Sequence, residues 1–176
     1  MSLFQTTGII LKNQYPYNFS LYVLTQELGK IKLYVPERKA QQFHVGSIVS
    51  LSIKSYQNRY HLQDFDVLYI PFFQLERLRV ILQMLQLCYY LLPEAMQSSH
   101  VYLHILGAYK YDDQTFTKQY KILQLKLFLL LDVFPDNSAL YHRVLHYNEQ
   151  LSEQKIEKAL AYCWEKYHDT IKDSKK

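Results

Sequence analysis

Apolar and polar residues alternate through the first seventy positions, and the alternation breaks into five runs separated by turn-forming residues. Thr7–Lys12, Phe19–Thr25, Lys30–Val35, Ile48–Tyr56 and Tyr60–Ile70 are therefore predicted strands. In the third run Ile31, Leu33 and Val35 share one face while Lys30, Lys32 and Tyr34 share the other. In the fourth, Val49, Leu51 and Ile53 oppose Ser50, Ser52, Lys54 and Tyr56. The fifth changes phase between Leu62 and Phe65, which predicts an inserted residue near Gln63–Asp64. Gln26–Gly29 and Gln57–Asn58 read as tight turns, Asn13–Asn18 and Glu37–Gly46 as longer connections, and the whole as an antiparallel meander.

After Pro71 the period lengthens to about 3.6 residues. Leu75, Leu78, Ile81, Leu82, Leu85, Cys88, Tyr89 and Leu92 form one helical face that stops at Pro93. His100–Tyr111 is a shorter helix. Phe116, Tyr120, Leu123, Leu127, Leu130 and Leu131 mark a third, with Asp112–Asp113 as its starting turn. Ser138–Tyr147 is a weaker fourth. Ser152 caps a last helix whose face carries Ile156, Leu160, Cys163, Trp164 and Tyr167.

The fold class that follows is α+β: a five-stranded OB-type β-barrel over residues 1–71, then an all-α domain over 72–176. An SH3-like barrel is the main rival, being equally small and five-stranded. Composition suits a globular chain, with 49% hydrophobic and 20% charged residues. Residues 1–71 hold seven Lys/Arg against four Asp/Glu, whereas 72–176 hold thirteen against twelve, so the excess positive charge sits with the strands. Cys88 and Cys163 fall within helical patterns, far apart, and are expected to be buried free thiols. No signal peptide is expected from Met1–Thr7, and the apolar stretch Ile122–Phe134 is too short and too polar to span a bilayer. A cytoplasmic protein is the expectation.

Gly8-Ile9-Ile10-Leu11-Lys12, Tyr17, Ser20-Leu21-Tyr22-Val23-Leu24-Thr25 and Glu27-Leu28-Gly29-Lys30-Ile31 together resemble the opening of the RecO family of bacterial DNA-repair proteins. Leu75-Glu76-Arg77-Leu78, Tyr89-Tyr90-Leu91-Leu92-Pro93-Glu94, and Leu125–Leu131 followed by Phe134-Pro135-Asp136 are similar to helical segments of the same family. The similarity covers most of residues 5–136, in order. It implies a recombination mediator that binds single-stranded DNA, single-stranded-DNA-binding protein and RecR. Such a protein assists RecA loading and strand annealing, in the bacterial cytoplasm and at the nucleoid during repair. Two features depart from the family. Asn137–His146 lacks the four-cysteine zinc site of many relatives, so no metal or cofactor is expected. The segment Pro36–Phe43 carries only Arg38, Lys39 and one acid, where relatives have a dense basic run.

Cations interleaved with rings suit a single strand, because charge offsets phosphate repulsion and aromatic faces stack on bases. Lys30, Lys32, Arg38, Lys39, Lys54 and Arg59, with Tyr22 and Tyr34, are the candidate DNA-binding residues. The plain alternative is a solvated face of a small basic barrel. Leu125 and Leu129 lie off the main helical stripe, where they can pack on the barrel or line a partner groove. Lys118, Lys121 and Lys126 stand near enough to meet the acidic, hydrophobic tail that the resemblance implies. His100/His104 and His142/His146 have i, i+4 spacing but lack the Glu of a zinc-protease motif. No phosphate loop or nucleophile–base arrangement is present, so an enzyme is not expected. The rival to DNA binding is a protein-only adaptor, and a histidine metal enzyme stands third.

Overall fold

The computed structural model describes residues 2–133 and 152–173. The expected fourth helix at Ser138–Tyr147, the His142/His146 pair and Phe134–Asp136 lie outside the described residues. Strands form where alternation predicts them: β1 (Ser2–Asn13), β2 (Ser20–Thr25), β3 (Gly29–Tyr34), β4 (Ile48–Tyr56) and β5 (Arg59–Tyr69). A short helix, α1 (Glu37–Ala40), connects β3 to β4.

The sheet closes on itself in the order β1-β2-β3-β5-β4, with β4 antiparallel to β1 from Ser2↔Ser55 to Ile9↔Ile48. A plain meander would set β4 beside β3. Here β5 takes that place and pairs with β3 in parallel over Leu33↔Tyr60 and Tyr34↔His61. Inward residues fill the ring: Ile10, Leu21, Val23, Ile31, Leu33, Val49, Leu51, Ile53 and Leu62, with Ala40 and Phe43 from the β3–β4 connection. The phase change in β5 is a bulge at Gln63, since Ile53 faces Leu62 and Ser52 faces Asp64. Gln57 and Asn58 turn the β4–β5 hairpin with positive φ at both positions (49° and 59°), the handedness that matches strand twist.

Two units divide the chain, Met1–Tyr109 and Lys110–Lys176. The first holds the closed sheet together with α2 (Leu75–Leu91) and nearly all of α3 (Ser99–Lys110), whereas the change of period falls earlier, at Pro71. Ile9 and Leu24 pair on the outer side of the ring, yet neither is exposed at all, because these helices cover that side. Polar contacts fasten the cover. The Tyr109 hydroxyl donates to the Gly46 carbonyl (2.9 Å), and the hydroxyls of Thr7 and Tyr102 share a hydrogen bond (3.0 Å). Arg77 is buried on α2 and donates to the Ala108 and Tyr109 carbonyls, which lack partners inside their own helix. The buried side of α2 differs from the expected stripe: Arg77, Met84 and Leu87 are inside, while Leu75 and Leu82 are exposed.

The connection Leu92–Ser98 runs beside β3. Lys30 and Glu94 form a parallel bridge, and the Ala95 N–H donates to the Lys30 carbonyl (2.8 Å). Gly29, at φ +69°, makes this approach possible: a Cβ there would stand 1.8 Å from the Met96 carbonyl oxygen.

In the second unit α4 (Asp113–Leu130) packs with α5 (Glu153–Asp173). Asp112 caps α4, accepting from the Thr115 N–H (2.9 Å) and the Thr115 hydroxyl (2.7 Å). Ile156, Leu160, Cys163 and Tyr167 are buried on α5 as its periodicity predicts, and Trp164 meets Phe128 edge-on at 5.2 Å. Both cysteines are free and buried, and burial pushes each thiol up to about 12. No helix among the described residues is long and apolar enough to cross a membrane.

Candidate nucleic-acid interface

Strand register places outward side chains in rows. One row runs Lys12 (β1), Tyr22 (β2), Lys32 (β3); the next runs Tyr34 (β3), His61 (β5), Lys54 (β4). Residues two apart on a strand share a face, so Arg59 joins the second row beside His61. All seven side chains are half-buried or exposed. The Lys32 ammonium lies 5.8 Å from the Tyr22 ring centre and 5.5 Å from that of Tyr34. The Arg59 guanidinium is 5.8 Å from Tyr34, and His61 stacks on the same ring at 5.5 Å. Rings held by cations on a solvent-facing sheet can exchange those cations for a stacked base and a phosphate.

Tyr89, near the end of α2, borders the strip. It meets Tyr22 edge-on at 4.9 Å and Tyr90 at 4.8 Å, and the Lys12 ammonium sits 4.5 Å over its ring. Burial raises the Tyr22 hydroxyl above the ordinary tyrosine range, helped by the neighbouring Tyr89, Glu94 and Tyr34.

The eight expected DNA-binding residues do not all gather here. Tyr22, Lys32, Tyr34, Lys54 and Arg59 do. Lys30 has the predicted outward parity but is only 6% exposed, because α2 covers that end of β3. Its ammonium donates to the Tyr89 carbonyl at 2.7 Å, and burial pulls its pKa below the usual lysine value against the opposing pull of Glu94. Lys39 on α1 bonds the Gln63 carbonyl (3.1 Å) and the Asp64 carboxylate (3.3 Å), which holds that carboxyl below its usual range. Arg38 is exposed on α1 and has no part in either row.

Sequence reasoning missed Lys12, His61 and Tyr89. His61 was readable, as the outward neighbour of core residue Leu62. Lys12 was not: Ile10 pairs with Val23 and Lys12 with Tyr22, so Leu11 is an extra residue that reverses the phase. Strict alternation from Ile10 would have sent Lys12 inward.

The expected partner residues on α4 fare differently. Leu125 and Leu129 are buried, so neither offers accessible surface for a groove. Lys121 is held by Glu153 (2.8 Å) and Glu157 (2.7 Å) of α5, and these hydrogen bonds raise its pKa. Lys126 is half-buried, and burial lowers its pKa. Lys118 is exposed and, with Thr117, Tyr120, Ile122 and Ile156, lines a hollow of about 480 Å³ between α4 and α5. His100 and His104 lie on α3, and no group of three or more metal-binding side chains occurs among the described residues.

A search against protein-family models and a search of curated proteins each return no match to this chain.

Proposed function

We propose that this chain is a non-catalytic, single-stranded-DNA-binding mediator of repair and recombination of the RecO type, built on an OB-type ring. The observation that carries the reading is the strip Tyr22–Lys32–Tyr34–Arg59 on β2, β3 and the start of β5. OB rings use the face of their second and third strands for oligonucleotides, and a closed five-stranded ring that is not a plain meander supports that reading. Each stacked base contributes roughly 1–3 kcal/mol, and Lys12, Lys32, Lys54 and Arg59 suit about four phosphates. In this reading the protein works in the bacterial cytoplasm, at the nucleoid during repair, with single-stranded-DNA-binding protein and RecR as partners.

A protein-only adaptor is the second reading. It draws support from Lys30 being bonded in the interior and Lys39 being paired at the surface, and from exposed Leu68, Phe72 and Leu75. Fluorescence anisotropy of a labelled single strand across a salt series separates the two. The DNA reading expects binding whose logarithm falls against log salt with a slope of roughly −3. Absence of binding at the lowest salt, with and without RecR, hands the assignment to the adaptor.

A further inference from the structure

Beside the strip lies a cleft of about 140 Å³ lined by Ile31, Lys32, Tyr34, Asn58, Arg59, Tyr60, Glu94 and Ala95. Three polar side chains on its wall lack a direct partner: among the described residues no hydrogen bond or ion pair engages the Asn58 amide, the Arg59 guanidinium or the Glu94 carboxylate, which feels the buried Lys30 ammonium only at longer range. Among the described residues the Arg59 guanidinium meets just the Tyr34 ring. Glu94 is anomalous on a surface meant for phosphate, since a carboxylate there repels the backbone it borders. Its backbone is held beside β3, through the bridge to Lys30 and the Ala95 hydrogen bond. A carboxylate becomes an asset only if the ligand brings N–H donors to it, for an ionised Glu can only accept.

Pockets for whole small molecules run to roughly 300–1,000 Å³, so this cleft suits a fragment the size of one base. Among the bases only guanine offers two adjacent N–H donors, N1–H and N2–H, together with two adjacent acceptors, O6 and N7. A carboxylate matches the first pair and a guanidinium matches the second. Tyr34 supplies the ring beside them. Resting on the nucleic-acid reading above, we propose that the Glu94–Arg59–Tyr34 cleft selects a guanine from a single strand, Glu94 accepting from N1–H and N2–H while Arg59 donates to O6 and N7. The other cations then bind sequence-independently, and this one position carries base identity.

The test uses the full chain and thymidine oligonucleotides of about ten residues with one central substitution, measured by competition anisotropy at fixed salt. The single-guanine strand should bind at least about fivefold tighter than the adenine, cytosine or all-thymine strands. Hypoxanthine in place of guanine keeps N1–H and loses the N2 amino group, so it should fall between. Glu94→Gln should abolish the guanine preference while strands lacking guanine still bind. The affinity ratio does not depend on the fraction of folded protein, so a stability change in the variant leaves the readout intact. Equal affinity for all four strands, or a preference that survives Glu94→Gln, overturns the guanine cleft and leaves the DNA reading standing. Failure of every strand to bind overturns both.

Discussion

Replacing Lys30 by Met should destabilise the fold without touching the salt dependence of DNA binding, while Lys32→Ala should do the reverse. The two lysines share the same parity on β3 but have different partners. The Lys30 ammonium donates to the Tyr89 carbonyl at 2.7 Å, one of the last four of α2, which has no partner within the helix. A hydrogen bond from a charged donor contributes roughly 1.5–3 kcal/mol, and Lys30→Met also leaves that carbonyl without its donor. Removing a buried ammonium recovers part of the loss, while Met preserves the packing of the stem. A net cost of about 1–2 kcal/mol follows. Lys32 is half-exposed and has only ring neighbours, so Lys32→Ala should cost within about 0.5 kcal/mol of stability. It should flatten the salt slope by about 0.7. Urea denaturation and salt-series anisotropy on both variants make the comparison. The pH dependence adds a signature. Burial lowers the folded Lys30 pKa, so between that value and the ordinary lysine value the unfolded chain holds a proton that the folded one has released. Wild-type stability should therefore gain with rising pH across that window, and Lys30→Met should lack this gain. Equal stability for wild type and Lys30→Met, with a slope lowered as in Lys32→Ala, would refute the reasoning.

Gly29→Ala should destabilise by about 2–4 kcal/mol, combining left-handed backbone strain with a Cβ driven into the Met96 carbonyl, whereas Gly107→Ala should stabilise by about 0.5–1 kcal/mol because a Cβ there meets nothing within 4 Å. Matched thermal melts of the two glycine variants check both signs. Asp112→Ala removes the side-chain acceptor for the Thr115 N–H and should lower the melting temperature of the unit that contains α4. That bond holds the Asp112 carboxyl below its usual value, so its contribution is present at neutral pH and lost as pH falls through the lowered pKa. The deficit of Asp112→Ala should accordingly vanish in acid, and a deficit unchanged by pH would count against the cap.

Local rules carried a large part of this fold. The bulge at Gln63 was legible because Leu62 and Phe65 break parity in a run bounded by clear turns. Asp112–Asp113 was legible as the turn that starts α4, and the α5 face from Ile156 to Tyr167 as a buried stripe. Parity fixes which side of a strand a residue takes, but not what lies on that side. On a closed ring the outside is itself divided. Where α2 and α3 cover it, outward Ile9, Leu24 and Lys30 are as buried as the core; where they do not, outward Lys32 and Tyr34 meet solvent. The boundary between these regions depends on how helices from beyond residue 75 return to the sheet, which no window of alternating residues encodes. The same gap explains Leu125 and Leu129, whose place off the main stripe left both packing and a partner groove open.

The tyrosines show how such ambiguity resolves, and what it implies for the size of the site. A count of 17 suits a core, an interface or a stacking surface alike. Burial and hydroxyl partners separate the uses. Tyr102 and Tyr109 are buried, and their hydroxyls are matched to Thr7 and to the Gly46 carbonyl, so their rings belong to the packing of helices on the sheet. Desolvation raises the Tyr109 hydroxyl far above the ordinary range, as expected for a buried phenol. Tyr22, Tyr34 and Tyr89 are half-exposed and have cations near their rings. A base can displace a cation from a ring face, whereas it cannot enter a ring already packed on all sides. Stacking capacity along the strip is therefore set by these three rings, and the bound strand should stack about three bases, just below the range of site sizes for one ring of this kind. Lengthening an oligonucleotide beyond about four residues should then add affinity only through the number of overlapping binding registers. A continued steep gain up to ten residues would place further stacking residues beyond this face.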